Sequence, residues 1–208
     1  MSTNLDQVVA LEVSLPDSGR VEVTDTLRPI AHALNGHGDS VAADIFWVSL
    51  DTAVIAVVDS TTGETLGKTV GTGRLQASVG LLRSNPLSVA VITHLDSLQA
   101  LGATRDTITV SAPDSLSDSL QVQLFATPAI ASSRRVIFSA VTFPATGPLV
   151  TLVPNDSVLS NSAGVATAQL RLSAGGALPD SVIVTATVQR PDGTPLPGAA
   201  TFVVEFQP

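Results

Sequence analysis

Residues 45–51, Ile-Phe-Trp-Val-Ser-Leu-Asp, decide the fold, because they place the only tryptophan of the chain within a short aromatic and β-branched run. Such a run, bounded by an aspartate at either end, predicts a β-strand. A tryptophan on a central strand fills the space between the inner faces of two packed sheets. We therefore expect the first half of the chain to be a β-sandwich. Its predicted core residues are Trp47, Phe46, Leu27, Val57 and Leu75.

Alternating apolar residues predict further strands along the whole chain. Leu120, Val122 and Leu124 alternate with glutamines, which indicates a half-buried strand and places Val122 in the core of the second half. Fifteen glycines and 13 prolines are spread between such runs, as turns between many short strands require. Pro29 lies inside one run, so that strand is expected either to be an edge there or to be broken by a bulge.

The length of 208 residues suits two domains of about 100 residues each. We predict one domain over residues 1–94, a linker over 95–105 and a second domain over 106–208. Within the linker, Leu95, Leu98 and Leu101 fit either a helical turn or a lead-in strand.

Five short motifs of the first half resemble the bacterial Ig-like domain of group 2. They are Asp25-Thr26-Leu27, Ala31-His32-Ala33-Leu34 with Asn35-Gly36, Phe46 to Asp51, Ala53-Val54 with Val57, and Gly71-Thr72-Gly73. The chain departs from that family's pattern at Pro29, where an aliphatic residue is usual, and at Gly73, where alanine is usual. The resemblance covers roughly residues 7–93.

The second half resembles the Ig-like domains of invasins and intimins through Gly164-Val165-Ala166, followed by Leu170. Together the two resemblances imply an all-β fold of two tandem immunoglobulin-like β-sandwiches. They also imply, by analogy, a place outside the cytoplasm.

Composition excludes several classes of function. The formal net charge is -8, with ten acidic and five basic side chains in residues 1–94 and eight and five in the remainder, so neither half offers a basic face to nucleic acid. The absence of cysteine excludes thiolate metal sites and thiol nucleophiles. No signal peptide is visible at the first residues, and no run predicts a membrane-spanning helix. We expect no cofactor.

One motif resembles the nucleophile block of GDSL-type hydrolases, Gly38-Asp39-Ser40-Val41. In that family, serine attacks an ester, while aspartate and histidine come from a C-terminal block. Here the three histidines are His32, His37 and His94, so the C-terminal part has none. A loop between two strands is therefore the preferred interpretation of Ser40, and we predict no catalytic residue.

The remaining polar candidates also have plain structural interpretations. His37, Asp39 and Asp44 lack the spacing of metal ligands, and we predict no metal site there. Calcium at Asp96 or Asp106 is a somewhat better alternative, although aspartates more often cap turns. His32 is expected to be an outward or partly buried residue of a sheet. Arg134 and Arg135 are expected to protect a strand edge, with a phosphate or carboxylate partner as the alternative. Trp47 is expected in the core rather than stacked on a sugar.

The sequence thus predicts a non-catalytic structural or interaction protein, an accessory or docking subunit of a larger extracytoplasmic assembly whose partners are other proteins. Binding is expected at strand edges, through β-augmentation or apolar contact. An adhesin fragment that binds glycan or a host surface is the alternative. A hydrolase using Ser40 is a remote one.

Overall fold

The computed structural model describes residues 5–110, 114–127, 130–145, 150–173 and 178–207. Within these ranges the chain consists of β-strands and one 3₁₀ turn at Asp17–Gly19, with no α-helix. The prediction of an all-β fold is confirmed. In the same ranges, no helix has the length and apolar character needed to cross a membrane. The chain divides into two compact units, Met1–His94 and Leu95–Pro208.

The first unit holds eleven strands. They are β1 (Val8–Ser14), β2 (Arg20–Glu22), β3 (Thr26–Leu27), β4 (Ile30–Asn35), β5 (Ser40–Val41), β6 (Phe46–Ser49), β7 (Ile55–Asp59), β8 (Glu64–Gly67), β9 (Gly71–Val79), β10 (Leu82–Arg83) and β11 (Leu87–Ile92).

One layer of this unit is the sheet β6-β9-β11-β2, in which β2 runs parallel to β11 and the other neighbours are antiparallel. The second layer consists of two three-stranded sheets, β1-β4-β5 and β3-β8-β7. Arg28 and Pro29 separate β3 from β4, and the pairing changes there from β8 to β1. Proline has no N–H to donate, so the ladder stops where the sequence predicted a break.

The core of the first unit lies between these layers and surrounds Trp47, which is 3% exposed. Leu27 and Leu75 are buried beside it, and Val57 is half-buried against the same cluster. The prediction of Phe46 as a core residue is wrong, because this side chain is 46% exposed. Successive side chains of a strand point to opposite faces, so burying Trp47 directs Phe46 outward.

The second unit holds ten strands. They are β12 (His94–Leu101, whose first residue is the last of the first unit), β13 (Arg105–Thr109), β14 (Asp114–Leu116), β15 (Leu120–Thr127), β16 (Arg135–Phe143), β17 (Val150–Val153), β18 (Ser157–Leu159), β19 (Val165–Ser173), β20 (Ser181–Val188) and β21 (Ala200–Gln207).

Most of the segment expected to be a linker is part of a sheet. Strand β12 spans His94–Leu101 and pairs with β15, and Leu95 is fully buried in the core of the second unit. The expected linker over 95–105 is therefore replaced by β12 and the short turn that leads to β13. Leu95, Leu98 and Leu101 therefore lie in a strand rather than in a helical turn.

The second unit repeats the layer arrangement of the first. One layer is β12-β15-β19, with β14 and β17 also paired to β19, and the other is β13-β21-β20-β16-β18. Strand β13 runs parallel to the last strand, β21, as β2 does to β11. In each unit the order of strands follows the immunoglobulin scheme of ABED facing CFG.

The core of the second unit is formed by strict alternation on facing strands. Every second residue of β15, β19 and β20 is buried, and Val122, Phe138 and Phe202 are at most 1% exposed. Aliphatic side chains fill most of this core, as the low aromatic content of 3% requires.

Candidate interaction edge and carboxylate–imidazole cluster

The motif around Ser40 is a hairpin turn between β4 and β5. The amide oxygen of Asn35 accepts hydrogen bonds from the backbone N–H groups of His37 and Asp39, both at 2.9 Å. Gly38 supplies the left-handed backbone conformation that the turn needs, with φ of 86°. His37, Asp39 and Ser40 are all exposed. The turn thus accounts for Gly38 and Asp39 of the motif, and Ser40 and Val41 form the strand that follows it.

The other polar candidates lie apart from one another. His32 is exposed on β4 opposite Glu12 of β1, and Asp44 is exposed before β6. Asp96 accepts a hydrogen bond from the Thr127 hydroxyl. Asp106 accepts one from the N–H of Thr107 and one from the N–H of Asp118, as a turn-capping aspartate does.

The arginine doublet differs from its predicted role. Arg134 is only 4% exposed, and its backbone N–H donates to the buried hydroxyl of Ser160 at 3.0 Å. Arg135 is exposed and opens β16, opposite Leu159 of β18. The expectation that both arginines protect a strand edge is therefore wrong for Arg134. This residue is buried where its backbone bonds to Ser160.

Strand β16 presents a partly unpaired edge within the described residues. It pairs with β20 over residues 136–143, but β18 covers only 135–137 on its other side. The N–H of Phe138 donates to the carbonyl of Asp156 on that side at 2.7 Å. Because every second residue of a strand directs its N–H the same way, Ala140 and Thr142 present their N–H groups beyond the end of β18.

The side chains at this edge are uncharged, and two of its exposed ones are large and apolar. Val141 is 55% exposed and Phe143 is 47% exposed. No charged residue occurs between Arg135 and Asp156. Natural edges are commonly protected by charges, especially lysine, so an uncharged edge with exposed apolar side chains is suited to strand pairing. We call residues 139–143 of β16 the β16 edge.

Glu22, Asp25 and His94 bring one ligand atom each to within 4.8 Å of one another, although His94 lies far along the chain from the other two. Within the described residues, no other group of three or more histidine and carboxylate side chains comes this close. Sequence reasoning missed this group, which we call the Glu22–Asp25–His94 cluster. The parallel pairing of β2 with β11 creates it, and no local pattern signals that pairing.

The cluster combines a buried carboxylate with two partly exposed groups. The Glu22 side chain is 0% exposed, and its Oε2 lies 3.3 Å from Nδ1 of His94, whose side chain is 34% exposed. Asp25 is half-buried and ends a turn in which its N–H donates to the Glu22 carbonyl at 3.1 Å. A second backbone bond, from Gly67 N–H to the Asp25 carbonyl at 3.0 Å, holds this turn against the end of β8.

No protein-family model matches the chain, and no curated protein matches its sequence. Solved structures with a similar chain path include domains 4 and 5 of the S-layer protein SbsC, with 13% identity and a TM-score of 0.35, covering 97% of this chain and all of that one. The D0-D1 domain of intimin shares 12% identity, with a TM-score of 0.34, and the match covers 95% of this chain and 98% of that one.

The Yersinia pseudotuberculosis adhesin InvE shares 16% identity with a TM-score of 0.39, and the match covers 93% of this chain but only 60% of the adhesin chain. At identities of this size, the likeness to these proteins concerns the fold and says nothing of function.

Proposed function

We propose that this protein is a non-catalytic interaction protein, built from tandem Ig-like modules, that docks on another protein by strand addition at the β16 edge. The observation that carries the proposal is that, within the described residues, no strand pairs with β16 beside Ala140 and Thr142, where Val141 and Phe143 are exposed. An added strand would satisfy those backbone groups, and its alternate side chains would cover the apolar pair.

The occupant that fits this edge is an extended, weakly charged polypeptide segment. Two of the three exposed side chains on the outward face, Val141 and Phe143, are apolar, so they favour an apolar partner strand. The net charge of -8 disfavours nucleic acid and anionic lipid as partners.

The proposal includes the assignment of residues 1–94 to the group 2 type and of residues 106–208 to the invasin and intimin type.

A crosslinking residue placed at the edge tests the docking directly. With Val141→p-benzoylphenylalanine in the native host, illumination is expected to attach a second protein to the chain. Val58 provides the matched control, since it is an exposed valine of similar exposure, 57%, on β7 of the first unit. Equal crosslinking from positions 141 and 58, or none from 141, contradicts docking at this edge.

A proline substitution tests whether backbone pairing is what holds the partner. Thr142→Pro removes an N–H that faces the unpaired side, a position where an edge strand tolerates proline. The crosslink from position 141 should then be lost while the second unit stays folded, as judged by circular dichroism. Retention of the crosslink in this folded variant would mean that strand addition is not the binding mode.

An accessory subunit of an extracytoplasmic assembly should also be reachable from outside the inner membrane. Protease added to osmotically opened host cells should degrade the protein while a cytoplasmic marker survives. Protection equal to that of the marker contradicts this placement.

Purified protein should release no product from a panel of esters, and hydrolysis that Ser40→Ala abolishes would establish the hydrolase alternative instead.

A further inference from the structure

We propose that the Glu22–Asp25–His94 cluster is a Zn²⁺ site. The three side chains supply two carboxylates and one imidazole, which are ordinary zinc ligands. All three residues belong to the first unit, and they come from three parts of it: β2, the turn after β2, and the residue that ends the unit.

The distance inside the cluster agrees with coordination of one ion. Two ligands at about 2.0 Å from a tetrahedral zinc ion lie about 3.3 Å apart. Glu22 Oε2 and His94 Nδ1 are separated by 3.3 Å. A charge-assisted hydrogen bond between such groups is shorter, about 2.7–2.9 Å. The separation therefore agrees with the edge of a coordination tetrahedron, and it is also short enough for an ion pair.

Burial supplies an independent reason for a cation. The carboxylate of Glu22 is fully buried, and a bound divalent cation is one kind of partner that offsets the cost of removing a carboxylate from water. The partial exposure of His94 and Asp25 leaves a path by which the ion can enter from solvent.

The two carboxylates and one imidazole of the cluster favour some metal ions over others. Calcium and magnesium take oxygen ligands almost exclusively, so an imidazole nitrogen disfavours both. Zinc accepts histidine together with aspartate or glutamate. With three protein ligands the fourth position falls to water, because this side of the cluster is partly exposed. We therefore expect zinc affinity without comparable calcium affinity.

The scaffold explains what bound zinc would do. β2 pairs in parallel with β11 through Glu22 and Ile92, and the N–H of Val23 donates to the Ile92 carbonyl at 2.9 Å. An ion held by Glu22 and His94 would link the end of this parallel pair, and Asp25 would add the following turn. Zinc should thus stabilise the first unit against unfolding, by an amount that grows with the logarithm of its free concentration.

The test uses tag-free, chelator-treated full chain and ZnCl₂ as the probe. Isothermal titration should show one Zn²⁺ per chain, and the unfolding transition followed by Trp47 fluorescence should move to higher temperature. The same titration with CaCl₂ should show no binding. Absence of zinc binding, or equal binding of calcium, overturns the proposal.

Substitutions of the proposed ligands test where the ion binds. His94→Gln and Asp25→Asn should each weaken zinc binding at least about 100-fold, because the loss of outer-shell partners alone costs 10- to 100-fold. His37→Gln is the matched control, an exposed histidine beside Asp39 in a turn, and should leave the affinity unchanged. Because Glu22→Gln alters a buried group and could prevent folding, the conclusion relies on the two partly exposed ligands. Unchanged affinity in His94→Gln, or loss in His37→Gln, places the ion elsewhere.

Discussion

Gly63 packs directly against the indole ring of Trp47. A Cβ atom at Gly63 would lie 2.8 Å from both Cδ1 and Nε1 of Trp47, and 2.7 Å from Cγ of Pro29. The backbone of Gly63 has φ of 74°, which side chains rarely adopt. The N–H of Trp47 also donates to the Ser60 carbonyl at 2.8 Å, so the turn between β7 and β8 closes over the tryptophan at the centre of the first unit.

This contact predicts that Gly63→Ala destabilises the first unit by about 2–4 kcal/mol, the sum of a left-handed backbone cost and an overpacking cost. The matched control is Gly80→Ala, which has φ of 57° but no atom within 4 Å of its Cβ, and should cost only about 1 kcal/mol. Urea unfolding followed by the fluorescence of the sole tryptophan measures both. Equal losses would show that Trp47 accommodates the added methyl group.

Gly73 predicts a second, purely steric effect. A Cβ at Gly73 would lie 2.6 Å from Cγ1 of Ile55, a residue that is 0% exposed. We expect Gly73→Ala to destabilise the first unit by about 1–3 kcal/mol.

A double-mutant cycle checks this explanation. Ile55→Ala removes the three side-chain atoms that a Cβ at Gly73 would meet, and by itself it should cost about 2–5 kcal/mol. The double variant should be less destabilised than the sum of the single variants. Strict additivity of the two losses would mean that Ile55 is not the obstacle.

The carboxylate of Asp59 predicts a pH effect in the turn before Gly63. Its Oδ1 accepts hydrogen bonds from the hydroxyl of Thr61 at 2.7 Å and from the N–H of Thr61 at 2.8 Å. The hydroxyl bond first, and then the backbone N–H bonds of Thr61 and Thr62, lower the pKa of Asp59 from 3.8 to about 2. Because the folded-state pKa is depressed, the stabilisation is present above the unfolded value and is lost as pH falls from about 4 toward 2.

Carboxyl-carbon NMR titration tests this assignment. Thr61→Val removes the hydroxyl donor, and the pKa of Asp59 should rise toward 3.8. The analogous turn of the second unit is an internal control, because Asp192 accepts from the hydroxyl of Thr194 at 2.7 Å and also has a lowered pKa. The titration of Asp192 should not change in Thr61→Val. A pKa of Asp59 that stays near 2 would assign the shift to other groups.

The pairing of β12 predicts an unusual outcome of limited proteolysis. Within residues 93–106, the exposed turn Gly102 to Thr104 is the expected cleavage site, because residues 94–101 form β12, which pairs with β15. Elastase cleaves after small residues such as Ala103. Two fragments should appear on a denaturing gel, yet they should elute together on size exclusion, since β12 remains paired after the cut. Fragments that separate without denaturant would restore the linker interpretation.

The sequence by itself determined the local features of this protein. Strict alternation in stretches such as Leu120 to Leu124 specifies strands, because one face of each strand must meet a core and the other must meet solvent. Asn35 to Asp39 and Pro29 specify a turn and a break, because their backbone preferences act within a few residues. The all-β fold and the burial of Trp47 follow from such signals.

Only the tertiary structure decided which of two adjacent apolar residues faces inward, as with Trp47 and Phe46, since packing selects the side of a strand. It also decided that residues 94–101 join a sheet and that Arg134 is buried. The meeting of Glu22 with His94 depends on the parallel pairing of β2 with β11. The physical reason is the same in each case: strand pairing brings together residues remote in the chain, and no local period records which strands will pair.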